Sequence, residues 1–229
     1  MKVWLVALFL LSGCALTPVL PDGENYLGAK YMRDPLGEER SPDTDPLIRY
    51  DAFDCTTFVE TVMAGGDVAN LNDIRYKNGD IDFMNRNHFI ESDWLVNNSS
   101  RVENVSKKYG KIKTRNLTID KAAWMKRVHG IESDFVPVRV SLEYIPYKNL
   151  GTINNDRTMI VLFVSGNSDS LKTIGTELAV THMGLLLPSG KTMRHASSAA
   201  GHVVDADFEK YTSRRKKIGE MGVALIEIK

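Results

Sequence analysis

The sequence has little cysteine, no surplus charge and no long hydrophobic run. Two cysteines, Cys14 and Cys55, are too few for a disulfide framework or a cysteine-pair zinc site. The five histidines form no His-Glu-x-x-His pattern, so the sequence supports neither a metal nor another cofactor. Lysine plus arginine equals aspartate plus glutamate at 29 each, which gives no electrostatic reason for binding nucleic acid. No internal repeat or low-complexity block is present. What remains is ordinary for a globular protein: 43% hydrophobic and 25% charged residues, in a chain long enough for one sizeable domain.

The N-terminus reads as an export signal. Lys2 supplies a positive charge, and Val3 to Leu11 is an apolar run of nine residues, too short to cross a bilayer core of ~30 Å. Leu11-Ser12-Gly13-Cys14 follows and resembles the lipobox of bacterial lipoproteins. That implies a signal peptide over residues 1–13, a lipidated Cys14 with a tether over residues 14–26, and a single domain over residues 27–229. Ala15 rather than Asp after the cysteine implies an outer-membrane lipoprotein facing the periplasm, held to the membrane by its lipid. With Cys14 lipidated, Cys55 has no intramolecular partner.

Asp54-Cys55-Thr56-Thr57-Phe58-Val59-Glu60 places that remaining thiol at the start of an amphipathic helix. Phe58, Val59, Val62 and Met63 recur at helical spacing, and Gly65-Gly66 ends the run. Asp54 is a good N-cap. A thiol there feels the positive end of the helix dipole and unpaired N–H groups, both of which favour the nucleophilic thiolate. A small buried core cysteine is the competing reading.

A second helix is expected over residues 67–77, with Val68, Leu71 and Ile74 on one side and a break at Asn78-Gly79. Residues 85–117 are polar and give no assignment. Thr118 or Asp120 is placed to cap a helix reaching Val128. The second half is strand-like. Val136, Val138, Val140, Leu142 and Tyr144 alternate with polar residues, and Thr158 to Val164 is a continuous apolar run, as in a strand buried on both faces. Residues 178–187 and 191–196 flank Pro188-Ser189-Gly190 as a hairpin, and residues 223–228 form a closing strand. Helices first and strands later predict an α+β domain with an antiparallel sheet.

His182 sits in the apolar strand Val180-Thr181-His182-Met183-Gly184, and His195 lies on the returning strand. A two- or four-residue connection pairs the two positions directly, with Cβ atoms roughly 4.5–5.5 Å apart, and Leu187-Pro188-Ser189-Gly190 makes a four-residue turn. A regular three-residue loop puts them on opposite faces unless a bulge intervenes. Two unrelated sheet histidines are the alternative. If the three residues meet, Cys55 attacks a carbonyl, His182 takes the thiol proton, and His195 fixes the tautomer of His182.

The order Asp-Cys-Thr-Thr-Phe-Val-Glu, Thr-His-Met-Gly and Arg-His-Ala-Ser resembles the NlpC-type branch of papain-like cysteine peptidases and amidases. Tyr31 to Glu38, Arg75-Tyr76, Arg86-Asn87-His88-Phe89, Ser92-Asp93-Trp94, Asn97-Asn98 and Tyr144-Ile145-Pro146 further resemble its N-acetylmuramoyl-L-alanine amidase-like family, from about residue 27 onward. The resemblance implies a papain-like fold with the nucleophile helix packed on an antiparallel sheet and a helical or loop insertion. It implies catalysis by Cys55, His182 and His195, support by Tyr31 at the oxyanion and by Asp54 as cap, and substrate contacts from Arg86, His88 and Trp94. A packing aromatic is the alternative for Tyr31, and structural roles are the alternative for the last three, since a buried Arg or Trp often fixes a loop. The implied substrate is peptidoglycan or a muropeptide, cut between muramic acid and L-alanine. An endopeptidase cutting the stem peptide after γ-D-glutamate and a non-catalytic wall-binding lipoprotein are the alternatives. One departure is Glu39-Arg40, where a small residue is expected.

Overall fold

The computed structural model describes residues 19–167 and 169–229. The leader, Cys14 and the first part of the tether lie outside the described residues. No helix among the described residues is long and apolar enough to cross a membrane.

The strands are β1 (Lys30–Tyr31), β2 (Ala52–Phe53), β3 (Val102–Asn104), β4 (Lys113–Ile119), β5 (Val138–Pro146), β6 (Met159–Ser165), β7 (Val180–Leu186), β8 (Thr192–Ser197), β9 (His202–Asp207) and β10 (Glu220–Ile228). They form one sheet in the order β2-β1-β9-β8-β7-β6-β10-β5-β4, with β3 pairing β10. Every pairing is antiparallel except β1 with β2. The chain is therefore the mixed α+β domain with an antiparallel sheet that the sequence predicts.

Strand β6 shows why the sheet is central. All seven of its residues are buried. Ile160, Leu162 and Val164 enter one core, whereas Met159, Val161 and Phe163 enter a second on the other face. An apolar residue at every position is what two covered faces require. Strand β5 is covered only toward its end: Val138 is exposed, and Leu142, Tyr144 and Ile145 are buried.

Helix α1 (Cys55–Met63) starts where expected. The Asp54 carboxylate accepts from the Thr57 N–H at 2.8 Å, and the Asp54 N–H donates to the Thr57 hydroxyl at 3.0 Å, closing a capping box. Phe58, Val59 and Val62 bury against the sheet. Gly65 and Gly66, at φ of 66° and 74°, terminate the helix in backbone that disfavours other residues. Helix α2 (Val68–Arg75) buries Leu71 and Ile74, but Val68 is 40% exposed because it sits in the first turn, ahead of the packed stripe. Helix α3 (Lys121–Trp124) is capped by Asp120 and runs on as a wider turn to His129, one residue past the expected end. Helix α4 (Phe208–Lys217), which has no apolar stripe strong enough to be read from sequence, covers the second core with Phe208 and Tyr211.

Candidate active site

The hairpin of β7 and β8 is joined by four residues, but one position later than the sequence reading places them. Leu186 pairs Met193, and the Leu187 N–H donates to Thr192. The loop is thus residues 188–191, with Ser189 and Gly190 at positive φ. This shifts the register by two, so His182 lies diagonal to His195 rather than directly opposite it. Parity is unchanged and the rings remain on one face. Diagonal neighbours are roughly 7–8 Å apart, still within reach of long side chains. Gly184 makes the approach feasible: a Cβ there would come within 2.9 Å of the His195 Cβ. The outcome is a hydrogen bond of 2.8 Å between His182 Nε2 and His195 Nδ1, with the rings edge to face at 4.8 Å.

Four further features fix the imidazole pair. Strand β7 bulges at Thr181, where the register against β6 slips between Phe163 and Val164. Just before the bulge, the buried Glu91 carboxylate accepts from the N–H groups of Ala179 and Val180 at 2.6 and 2.5 Å. From α4, Tyr211 packs on both rings, at 5.9 Å from His182 and 5.0 Å from His195. Arg215 joins α4 to the bulge through Glu220, and Glu220 also accepts from Thr181 at 2.7 Å. Glu91, Tyr211, Arg215 and Glu220 were not legible as site residues, because each acts through backbone or packing that only the fold reveals.

Cys55, Tyr31, His182 and His195 line one cleft of about 1230 Å³, walled on one side by α4. Cys55 packs against the first core, and the imidazoles rest on Phe163 and Tyr211 of the second. The sulfur lies 3.9 Å from the Thr56 hydroxyl. Tyr31 is held by the Gly201 carbonyl through its N–H at 2.7 Å, and burial, with Cys55 and Asp54 nearby, raises its phenol above the usual range. Asp54 caps α1 and also accepts from the Asp34 N–H at 3.2 Å, a structural and orienting role.

The electrostatics correct one expectation. Burial, reinforced by the Asp54 carboxylate, pushes the Cys55 thiol up to about 11, and the N–H groups of Met183 and Cys55 only partly oppose it. Burial also holds His182 well below the usual imidazole range and His195 down to about 4, with Arg215 adding to both shifts. The helix N-terminus therefore does not yield a resting thiolate: desolvation penalises each charge and favours the neutral pair. Among the described residues no cluster of three His, Cys, Asp or Glu could hold a metal ion.

The expectation that Arg86, His88 and Trp94 line this cleft is not met. Trp94 is fully buried beneath α1. Arg86 is 6% exposed and committed to carboxylates: Glu38 takes Nε and Nη2 at 2.8 and 2.7 Å, Asp43 takes Nη2 at 2.7 Å, and Asp34 lies 3.4 Å from Nη1. It staples the loop of residues 34–43, in which Glu39 adopts φ of 55°, a conformation easier for the small residue expected there. His88 binds the Phe83 carbonyl at 2.7 Å and packs on Phe83 and Trp124. Arg86 and His88 instead border a separate hollow of about 210 Å³, together with Asp34, Asp54, Thr56 and Trp124.

The comparisons with known proteins agree with this architecture. The family model described as N-acetylmuramoyl-L-alanine amidase-like matches residues 22–220. A Legionella pneumophila protein is similar at a TM-score of 0.81 and 23% identity, covering 90% of this chain and 86% of its own. A Bacteroides uniformis N-acetylmuramoyl-L-alanine amidase is similar at 0.70 and 24%, covering 92% of this chain and 97% of its own. A Bacteroides fragilis protein with a provisional xylanase name is similar at 0.66 and 23%, covering 91% and 100%. At such identities the likeness establishes the fold alone. No curated protein matches the sequence.

Proposed function

The chain belongs to the N-acetylmuramoyl-L-alanine amidase-like family, and from that premise we propose that it hydrolyses the amide between muramic acid and L-alanine in peptidoglycan or its fragments by thiol chemistry. The observation that carries this reading is the hydrogen-bonded imidazole pair in the same cleft as the cysteine at the head of α1. We assign the fold accordingly to the NlpC-type papain-like class.

Proton bookkeeping follows from the pair. His182 Nε2 is occupied by His195, so its Nδ1 is the nitrogen left for the thiol. His182 starts with its proton on Nε2, donated to His195 Nδ1, and His195 carries its own on Nε2. Because the resting thiol and imidazole are neutral, proton transfer to Nδ1 accompanies attack by sulfur on the carbonyl. The tetrahedral oxyanion is held by the Cys55 N–H and the Tyr31 hydroxyl, where losing one donor typically costs ~10²–10³ in turnover. The proton on Nδ1 then passes to the departing alanine nitrogen as the C–N bond breaks. Water, deprotonated by the same nitrogen, attacks the thioester and releases the muramoyl acid. His195 keeps the ring of His182 oriented and shares its charge.

Mass spectrometry of muropeptides after digestion tests the reading. The expected products are a peptide beginning at L-alanine and an unsubstituted muramic acid. A shortened peptide still attached to sugar identifies the stem-peptide endopeptidase instead. Digestion unaffected by Cys55→Ala overturns thiol catalysis.

We further propose that residues 1–13 are removed on export and that Cys14 carries lipid, anchoring the enzyme at the outer membrane facing the periplasm. Incorporation of labelled palmitate that is lost in Cys14→Ala is the expected result; equal labelling of both proteins counts against the anchor.

A further inference from the structure

The nucleophile has a second cavity beside it. The hollow bordered by Asp34, Asp54, Thr56, Asn87, His88 and Trp124 lies against the first turn of α1, and the Thr56 hydroxyl is 3.9 Å from the Cys55 sulfur. It shares none of these residues with the large cleft. We propose that this hollow is the subsite for the sugar ring of the muramoyl half of the substrate. The inference rests on the amidase reading given above and adds where each half of the substrate lies.

The chemistry of the reaction sets the polarity. The departing nitrogen must take its proton from His182, so the amine half, the peptide, occupies the large cleft beside the imidazoles and α4. The acyl half then extends away from the imidazoles, and the neighbouring hollow that Thr56 and Asp54 border is the space offered to it.

Its size suits one ring. A volume of about 210 Å³ falls below the ~300–1,000 Å³ typical of drug-sized ligand sites. Its lining suits a pyranose. Trp124 and His88, with centroids 4.7 Å apart, offer apolar ring faces and are only half-buried. The Trp124 indole N–H and His88 Nδ1 have no hydrogen-bond partner among the described residues, because His88 uses Nε2 on the Phe83 carbonyl. With the Thr56 hydroxyl and the two aspartates, they present donors and acceptors for hydroxyl and acetamido groups.

Its charge discriminates between the two candidate bonds. Both arginines at the hollow are spent: Arg86 on Glu38 and Asp43, Arg75 on Glu60 at 3.2 Å and on the Leu36 carbonyl. The carboxylates that border it, Asp54 and the Asp34 that also pairs with Arg86, disfavour an anionic acyl group. A γ-D-glutamyl acyl half carries a free carboxylate at this point, whereas a muramoyl ring is neutral there.

Calorimetry on the full chain carrying Cys55→Ala separates binding from turnover. The ligands are muramoyl-L-alanyl-D-isoglutamine and its sugar-free analogue acetyl-L-alanyl-D-isoglutamine. The muramoyl ligand should bind about tenfold more tightly, equivalent to one aromatic contact, and Trp124→Ala should erase that preference. Asp34→Ala, at a largely exposed side chain, should reduce the preference even where the tryptophan variant does not fold. Equal affinity for the two ligands, a preference that survives both substitutions, or no binding of the muramoyl ligand at millimolar concentration overturns the subsite. Product analysis tests the cleaved bond separately, so an endopeptidase result can be told apart from a failed sugar site.

Discussion

Arg86 had two roles open to it in the sequence, a substrate contact and a loop-fixing staple, and its environment in the structure is that of the staple. In the structure its guanidinium is 93% shielded, lies 4.9 Å from the Phe83 ring centroid and serves the Glu38 carboxylate, itself 1% exposed. Arg86→Ala leaves that carboxylate buried without a cation. Removing one member of a buried pair costs about 3–5 kcal/mol. In a domain of this size each kcal/mol lowers Tm by roughly 2–4 °C, so the expected fall is about 6–20 °C. Asp43 and Asp34 are more exposed and add little. Scanning calorimetry or circular dichroism reads the shift directly, and Arg86→Lys, which keeps the charge but loses the forked geometry, should fall between the two. A variant that melts within about 2 °C of the parent yet shows a raised KM on muropeptides would refute the staple and restore the substrate contact.

Three other outcomes follow from the site. Cys55→Ala should abolish hydrolysis with an unchanged melting curve, and His182→Ala should cost more activity than His195→Ala, since orientation is secondary; the reverse order contradicts the assigned roles. Both imidazoles are held low, so the base stays neutral as pH falls below the ordinary imidazole range, and kcat/KM should persist below pH 6 before declining. An acid limb centred at about 6.5 or above, the free-imidazole value, contradicts this. Glu91→Ala should lower kcat roughly tenfold or more with little change in KM, by releasing the strand before the Thr181 bulge. Glu91→Gln, which keeps an acceptor, should restore most of it; equal losses in both variants argue against the clamp.

What could be read from sequence is what local chemistry determines. The α1 cap, its apolar stripe and its glycine stop are encoded within thirteen residues, and β6 announces two covered faces by being apolar from Met159 to Val164. The imidazole pair was reachable through hairpin parity, although the loop lies one residue later than read, which makes the two histidines diagonal rather than direct neighbours. Residues 85–117 resisted assignment because their order comes from distant partners: the Asn98 amide donates to the Ile74 carbonyl, and Leu225 donates to the Ser106 hydroxyl. Helix α4 was missed since only Phe208 and Thr212 are buried on it. Trp94 and Arg86 matched the right family segment, but a motif does not reveal which side of a loop faces the core. The thiol's electrostatics were misread for the same reason. Dipole and cap are local, whereas the burial that outweighs them is tertiary.

The protonated resting thiol has a consequence for durability. The anion is the form of the sulfur that attacks peroxides and disulfides, and a thiol held at about 11 offers very little of it at neutral pH. Under the thiol mechanism proposed above, such a site resists oxidants until a carbonyl arrives to draw the proton away, so its working lifetime is governed by encounters with substrate rather than by exposure to oxidant.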